Sequence, residues 1–188
     1  MKNRFTTVKR QSFRIWFQPS RVVILSIFDD QRDRFNLTTL CFSMHSEYKP
    51  PSVAFSVEKR HLSHELLTRR GHFALGVPGR CLATAALSCG LKCGREVDKA
   101  NVFGVRLEQG TLPSHMLVAD AIANMECELA WFHDAGDHTV FNARVTRYLV
   151  CKDCIEPGLL SIGSDETGYE VLCVSGVHKL AVPAQGCR

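Results

Sequence analysis

The apolar positions of this chain fall into short blocks with the length and alternation of strands. Residues 22–28 form a β-branched run after Pro19, and residues 37–42 resume the pattern beyond a charged turn at residues 29–34. Residues 52–57 lie between Pro50–Pro51 and a cluster of charges, as a largely buried strand does, and residues 73–77 follow Gly71. In the second half, residues 125–132 and 139–150 flank a Gly- and Asp-rich hairpin turn at residues 133–138. Phe141, Ala143 and Val145 alternate there with Asn142, Arg144 and Thr146, the period of a half-buried strand. Residues 170–182 supply a last strand or hairpin. Helical spacing is rarer: Leu62, Leu66 and Leu67 predict a helix that starts near Ser63, takes the Ser63 side chain as its cap and stops at Gly71. Six or more strands with two or three short helices predict a mainly β fold, a closed or split β-barrel rather than a doubly wound sheet.

Composition narrows the classes. With 188 residues, 45% of them hydrophobic and 22% charged, the chain can bury one sizeable core, and one domain over residues 19–188 is expected behind a basic N-terminal arm of residues 1–18. A net charge of +4 is too mild to argue for nucleic acid, and no element interleaves basic with aromatic residues. No apolar run approaches the roughly 20 residues that span a bilayer, and no signal-peptide pattern is seen, so a cytoplasmic protein with no membrane partner is expected. The odd count of nine cysteines argues against a disulfide framework. Cys151-Lys-Asp-Cys154 and Cys89-Gly-Leu-Lys-Cys93 leave a zinc site or a thiol redox pair as an alternative, against free cysteines acting as small buried hydrophobes.

The candidate chemistry gathers at one strand-to-helix corner. Lys59, Arg60 and His61 stand directly before the expected helix, whose first amides lack intrahelical partners and carry the positive end of the dipole. Cations and helix start together suit a phosphate, with Arg60 able to bind it bidentately and Lys59 acting as a point charge. His61 and His64 could share one face of the corner, but no further metal ligands point to them, so no metal is assigned. There is no GxGxxG after a strand, no GxSxG and no HExxH, and the P-loop-like spacing at residues 163–168 is followed by Tyr169 in place of lysine.

The residues in this order carry a resemblance. Asn36-Leu37-Thr38-Thr39-Leu40-Cys41-Phe42, Pro50-Pro51-Ser-Val-Ala-Phe-Ser-Val, Ser63-His64-Glu65-Leu66-Leu67, Gly71-His72-Phe73, Gly94-Arg95-Glu96-Val97-Asp98-Lys99 and Gly136-Asp137-His138 together resemble the flavin reductase-like, flavoredoxin-type family from about residue 19 to about residue 180. The resemblance implies the FMN-binding split barrel fold and a homodimer. It implies that Thr38, Thr39, Leu40, Cys41, Phe42 and Ser43 line the flavin and that Ser56, Val57, Lys59, Arg60 and His61 help to hold its ribityl phosphate. It implies also that the turn of Gly94, Arg95, Asp98 and Lys99 closes over the cofactor with Lys99 facing it. His138 is the catalytic candidate, orienting the pyridine nucleotide, with His64 as a second. The sequence departs from the family's usual pattern at Cys41, His72, Gly76, Cys93 and Ala100.

The activity implied is hydride transfer from NADH or NADPH to bound FMN, or alternatively FAD, and on to an acceptor, the protein positioning a cofactor that does the chemistry itself. A flavin-binding electron carrier or binding module without its own nicotinamide site is the alternative, and a cysteine-rich zinc-binding structural protein a third reading.

Overall fold

Residues 17–154, 156–163 and 168–184 are described in the computed structural model of the chain, so residues 1–16 of the expected basic arm lie outside the described residues. The elements in order are β1 Ser20–Arg21, β2 Val23–Asp29, β3 Arg34–Leu40, β4 Ser43–Tyr48, β5 Pro51–Glu58, α1 Leu62–Arg70, β6 His72–Val77, α2 Ala83–Leu91, α3 Lys99–Val102, β7 Leu107–Gln109, β8 Met116–Val118, β9 Ala123–Ala135, β10 His138–Val150, β11 Leu160–Ser161, β12 Tyr169–Ser175 and β13 His178–Pro183. A 3₁₀ turn, Arg80–Leu82, leads into α2. The fold is mainly β, as the alternation predicts.

Seven antiparallel strands run in the order β3-β2-β6-β9-β10-β5-β4, a second sheet runs β1-β11-β13-β12, and β7 and β8 form a separate ribbon. β2 explains why two layers form. Val23, Leu25 and Ile27 point into one core, with Phe55, Phe73 and Phe141 and with Leu62, Leu66 and Leu67 of α1. Ile24, with Val22 just before the strand, points into the other, with Ala83, Ala86 and Cys89 of α2 and Leu180 and Val182 of β13. A strand buried on both faces loses the polar alternation of a surface strand, which is why it reads as a continuous apolar run. In the first core Phe55 stacks on Phe141 at 5.8 Å between ring centroids and meets Phe73 edge-on at 5.6 Å. Irregular pairing between β9 and β10, at Asn142/Ala143 and Val145/Arg147, bends the long hairpin enough to curl the sheet.

Three local expectations are refined. The hairpin turn is tighter than residues 133–138: β9 runs to Ala135, β10 starts at His138, and Gly136 supplies the positive φ of 67° that the two-residue connection needs. α1 is capped at His61, not Ser63, and no side chain caps it; the Ser63 hydroxyl is buried in the first turn without a hydrogen-bond partner. The cysteine expectation gains one detail: Cys151 and Cys154 are joined in one local disulfide rather than a framework, while Cys41, Cys81, Cys89, Cys93, Cys127 and Cys173 are thiols among the described residues.

The β7–β8 ribbon is held to the main sheet by a buried polar knot. Glu126 of β9 accepts from the Thr111 backbone N–H at 2.7 Å, and its other oxygen lies 3.6 Å from His115 Nδ1. Both side chains are almost wholly buried, and His72 stands 5.8 Å from His115, ring to ring. Burial lowers the His115 pKa from its ordinary value, with Glu126 opposing the shift and His72 adding to it. A neutral imidazole in the fold and a protonatable one in the unfolded chain make acid destabilising. The contribution is complete above the unfolded pKa near 6.5 and is lost as pH falls below it. The melting temperature is therefore expected to drop between about pH 7 and about pH 5, and to drop less in His115→Leu; a thermal scan with equal drops for both proteins contradicts this account.

Candidate functional site

A cavity of about 270 Å³ opens where the two layers meet. Its walls are β3 with the Cys41–Phe42 connection, the end of β5, the start of β10, one face of α2, and Ser161, His178 and Leu180 from the second sheet. The wall between β3 and α2 is set by small residues. α2 reads Ala-Thr-Ala-Ala-Leu-Ser-Cys-Gly-Leu, which lets its backbone come close to the sheet. The Thr39 hydroxyl donates to the Ala86 carbonyl at 2.5 Å, and a Cβ placed on Gly90 would stand 3.4 Å from Thr39 Cβ. The helix therefore lies on β3 with a short polar tie and no bulky side chain between them, and the space beyond is the cavity.

Of the residues named from the sequence, Thr38, Thr39, Leu40, Cys41, Phe42, Ser56, Val57, His61 and His138 line this cavity. Strand pairing explains the convergence. His138 pairs with Glu58 and Val140 with Ser56, so the end of β5 and the start of β10 lie side by side, while the Ser56 N–H donates to Phe42 O at 3.0 Å and brings in the end of β3. The Thr38 hydroxyl accepts from Asn36 Nδ2 at 3.4 Å, which leaves its own hydrogen available. His138 Nδ1 lies 2.8 Å from Asp137 Oδ1, and its ring is 6.2 Å from that of Phe42 at the rim. The hydrogen bond from His138 holds the Asp137 carboxyl below its ordinary range. Burial raises the pKa of the Cys41 thiol, with the Ser161 hydroxyl opposing, so this wall presents a neutral thiol.

The remaining named residues stand elsewhere. Ser43 opens β4 beside the wall. Lys59 Nζ lies 3.1 Å from Asp134 Oδ2, and Arg60 Nε 2.8 Å from Glu58 Oε1, with the Arg60 side chain 78% exposed. His64 Nε2 is 2.8 Å from Thr139 Oγ1, which donates to Asp134, so His64 ties α1 to β10. Arg95 donates to Glu65 at 3.0 Å. Gly94 gives its carbonyl to Arg34 at 2.8 Å, and Asp98 caps α3 by accepting from the Asn101 N–H. Lys99 is buried, and its ammonium donates to Cys89 O at 2.7 Å in the last turn of α2. A cation on a carbonyl that the helix leaves unpaired stabilises that end, so the Gly94–Lys99 turn fixes the helix that walls the cavity. Burial lowers the Lys99 pKa.

Gln18, Glu58, Ala86, Leu87, Gly90, Leu91, Ser161, His178 and Leu180 complete the lining and were not named from the sequence. The run of small residues over 83–91, at helical spacing, was the legible signal for the α2 face; nothing local marks the second-sheet residues. No Lys or Arg is among the described residues that line the cavity, and three histidines, His61, His138 and His178, surround it. Burial also lowers the His61 pKa, with Glu58 opposing and the charges of Arg60, Lys99 and His138 adding to the fall. Beside it, the first amides of α1 carry no side-chain cap. Among the described residues no group of three or more His, Cys, Asp or Glu is arranged to hold a metal ion.

Residues 17–165 match the family described as the Flavin reductase like domain. Among curated proteins, the uncharacterised protein YddH of Escherichia coli is 33% identical over 108 residues, covering 57% of this chain and 57% of its own length. The aligned part thus spans little more than half of that relative. Among solved structures, flavoredoxin from Methanosarcina acetivorans superposes with a TM-score of 0.78 at 17% identity, over 97% of this chain and 93% of that one. The NADH:FAD oxidoreductase SgcE6 of Streptomyces globisporus, solved in complex with NAD and FAD fragments, superposes with a TM-score of 0.70 at 23% identity, over 83% of this chain and 92% of that one. These likenesses establish the split barrel fold.

The close packing behind β3 gives a test. A Cβ at residue 94 would fall 1.9 Å from Asn36 Oδ1, and Asn36 is buried and bonded to Thr38 of the wall. Gly94→Ala should therefore cost roughly 1–3 kcal/mol in urea denaturation, the usual range for overpacking. Unchanged stability contradicts the contact.

Proposed function

The chain belongs to the Flavin reductase like domain family, and from that premise we propose that it is an oxidoreductase that carries FMN, or alternatively FAD, in the cavity between β3 and α2 and draws its electrons from NADH or NADPH. A bound flavin supplies the two-electron chemistry, taking hydride from the nicotinamide and passing electrons to an acceptor. The residues of this chain bind, orient and shield it.

The observation that carries the reading is the cavity itself, an apolar face of α2 (Ala86, Leu87, Gly90, Leu91) that shares it with the hydroxyl-bearing Thr38, Thr39 and Ser56, next to a helix start that no side chain caps. At about 270 Å³ it falls just below the usual size of ligand pockets, which run from about 300 to 1,000 Å³. That suits a planar ring held inside with its polar tail running out past His61. The Thr38 hydroxyl can donate to the ring's carbonyl or nitrogen edge, and Ala86 and Gly90 leave room for its face. The first amides of α1, with Arg60 and Lys59 turned from Glu58 and Asp134, suit the phosphate. Each of those carboxylate pairs is partly exposed, so leaving it costs little. His138, held by Asp137, orients the nicotinamide over the open side.

Assembly and location complete the proposal. Phe42, Met44, Trp131 and Phe132 are exposed apolar side chains, Phe42 on the cavity rim, and a second copy of this chain in a homodimer would give the open side its missing wall. The six described thiols favour a reducing compartment such as the cytoplasm. No helix among the described residues is long and apolar enough to cross a membrane. The small cavity favours one alternative, an electron carrier that holds flavin but has no nicotinamide site of its own.

Purified protein loaded with FMN and mixed anaerobically with NADH or NADPH is expected to lose its visible flavin absorbance with either nucleotide or both. Retained absorbance with both selects the carrier, and no flavin bound at all overturns both readings. In Lys59→Ala/Arg60→Ala, FMN affinity should fall by about tenfold or more while riboflavin affinity stays level, since each lost charge-assisted contact is worth roughly 1.5–3 kcal/mol before solvent exposure reduces it. An equal effect on both ligands removes the phosphate from that corner.

A further inference from the structure

The connection from β10 to β11 carries chemistry that the cavity does not use. Cys151 follows the last residue of β10, and its backbone N–H donates to Ile122 O at 2.9 Å. It is joined to Cys154 in a disulfide with 5.4 Å between Cα atoms, in the ordinary range for such a bond. Six further described cysteines remain thiols, so this bond is not part of a disulfide framework. A bond between cysteines three positions apart closes a very short loop and removes little chain entropy from the unfolded state, so stability is a weak reason for it. Neither cysteine is a member of the two apolar cores. The two ends differ in access: Cys154 is exposed, as are Lys152 and Asp153, whereas Cys151 is half-buried and anchored through its backbone.

We propose that Cys151 and Cys154 are a reversible dithiol–disulfide centre on the surface of this protein, exchanging with external dithiols through Cys154. In the reducing direction a thiolate of the external dithiol attacks Cys154 Sγ. A mixed disulfide forms, the Cys151–Cys154 bond breaks, and Cys151 leaves as a thiolate that takes a proton from water. The second thiolate of the reductant then attacks its own sulfur in the mixed disulfide, releasing Cys154 as a thiolate, which is protonated in turn. Two electrons and two protons pass to the pair, and the external dithiol leaves as a disulfide. Attack falls on Cys154 because exchange requires the entering sulfur to approach along the S–S axis, and Cys154 is the more exposed end, Cys151 being half-buried. This exchange needs no flavin, so it stands or falls separately from the cavity's function.

The test uses the full chain, without added flavin, equilibrated in graded ratios of reduced to oxidised dithiothreitol, quenched in acid, alkylated and mapped by peptide mass. The expected result is that Cys151 and Cys154 pass together from unmodified to doubly alkylated in one two-electron step, reversed by oxidised dithiothreitol, with the circular dichroism of the folded protein unchanged. A pair that stays oxidised in excess reductant while the protein remains folded, or one that never oxidises, overturns the proposal. Single variants then report the entry point. With oxidised glutathione, Cys151→Ser should form a mixed disulfide at Cys154 about tenfold or more faster than Cys154→Ser forms one at Cys151, as access governs such rates. Equal rates overturn the assignment of Cys154, and the wild-type titration stands whether or not a variant folds.

Discussion

The docking of α2 on β3 is the constraint on which the site depends. A helix can lie this close to a sheet only where side chains are small, and α2 presents Ala86 and Gly90 at the contact, tied by the Thr39 hydroxyl to the Ala86 carbonyl. Its far end is fixed by the buried Lys99 ammonium on Cys89 O, and Lys99 is positioned by the Gly94–Lys99 turn that Arg34 of β3 holds through the Gly94 and Val97 carbonyls. Strand, helix and turn thus form one closed circuit of hydrogen bonds. The cavity is the space that circuit leaves between the two apolar cores.

The same circuit gives the Gly-Arg-Glu-Val-Asp-Lys turn a physical role. Lys99 does not line the cavity; it holds the helix that does. Asn36, buried against Gly94 and bonded to Thr38, links the turn to the opposite wall. The charged corner behaves likewise. Lys59 bridges β5 to the tip of the β9–β10 hairpin through Asp134 and through its own N–H to Asp137 O, so a cation expected to attract a phosphate also aligns the strands that bring His138 beside Glu58. Partly exposed ion pairs of this kind contribute little to stability, which leaves them free to change partners when an anion arrives.

Much of this was legible in the sequence because strand periodicity is a local signal. The alternation of Phe141, Ala143 and Val145 and the apolar run of β2 predict the curled sheet, and Gly136 marks its longest hairpin. α2 was harder to read, since Ala, Ser, Cys and Gly give almost no amphipathic contrast and its role is closeness rather than bulk. The Ser63 cap misled for a related reason: Ser63 falls one residue inside the helix, where its hydroxyl is buried by the packing of α1 on the sheet. Ser161 and His178 reach the cavity through second-sheet pairings with no nearby sequence motif, and the Cys151–Cys154 bond depends on the strand end that anchors Cys151.

The most direct measurement of the central claim is FMN binding by equilibrium titration to the intact chain and to Gly90→Leu, with the fold of each verified by circular dichroism. A leucine at residue 90 would extend past Thr39 into the cavity, so the account predicts one FMN per chain for the natural sequence and loss of at least about tenfold in affinity for the folded variant, in line with overpacking costs of roughly 1–3 kcal/mol. Equal affinity in the two proteins would show that flavin does not occupy the space between β3 and α2.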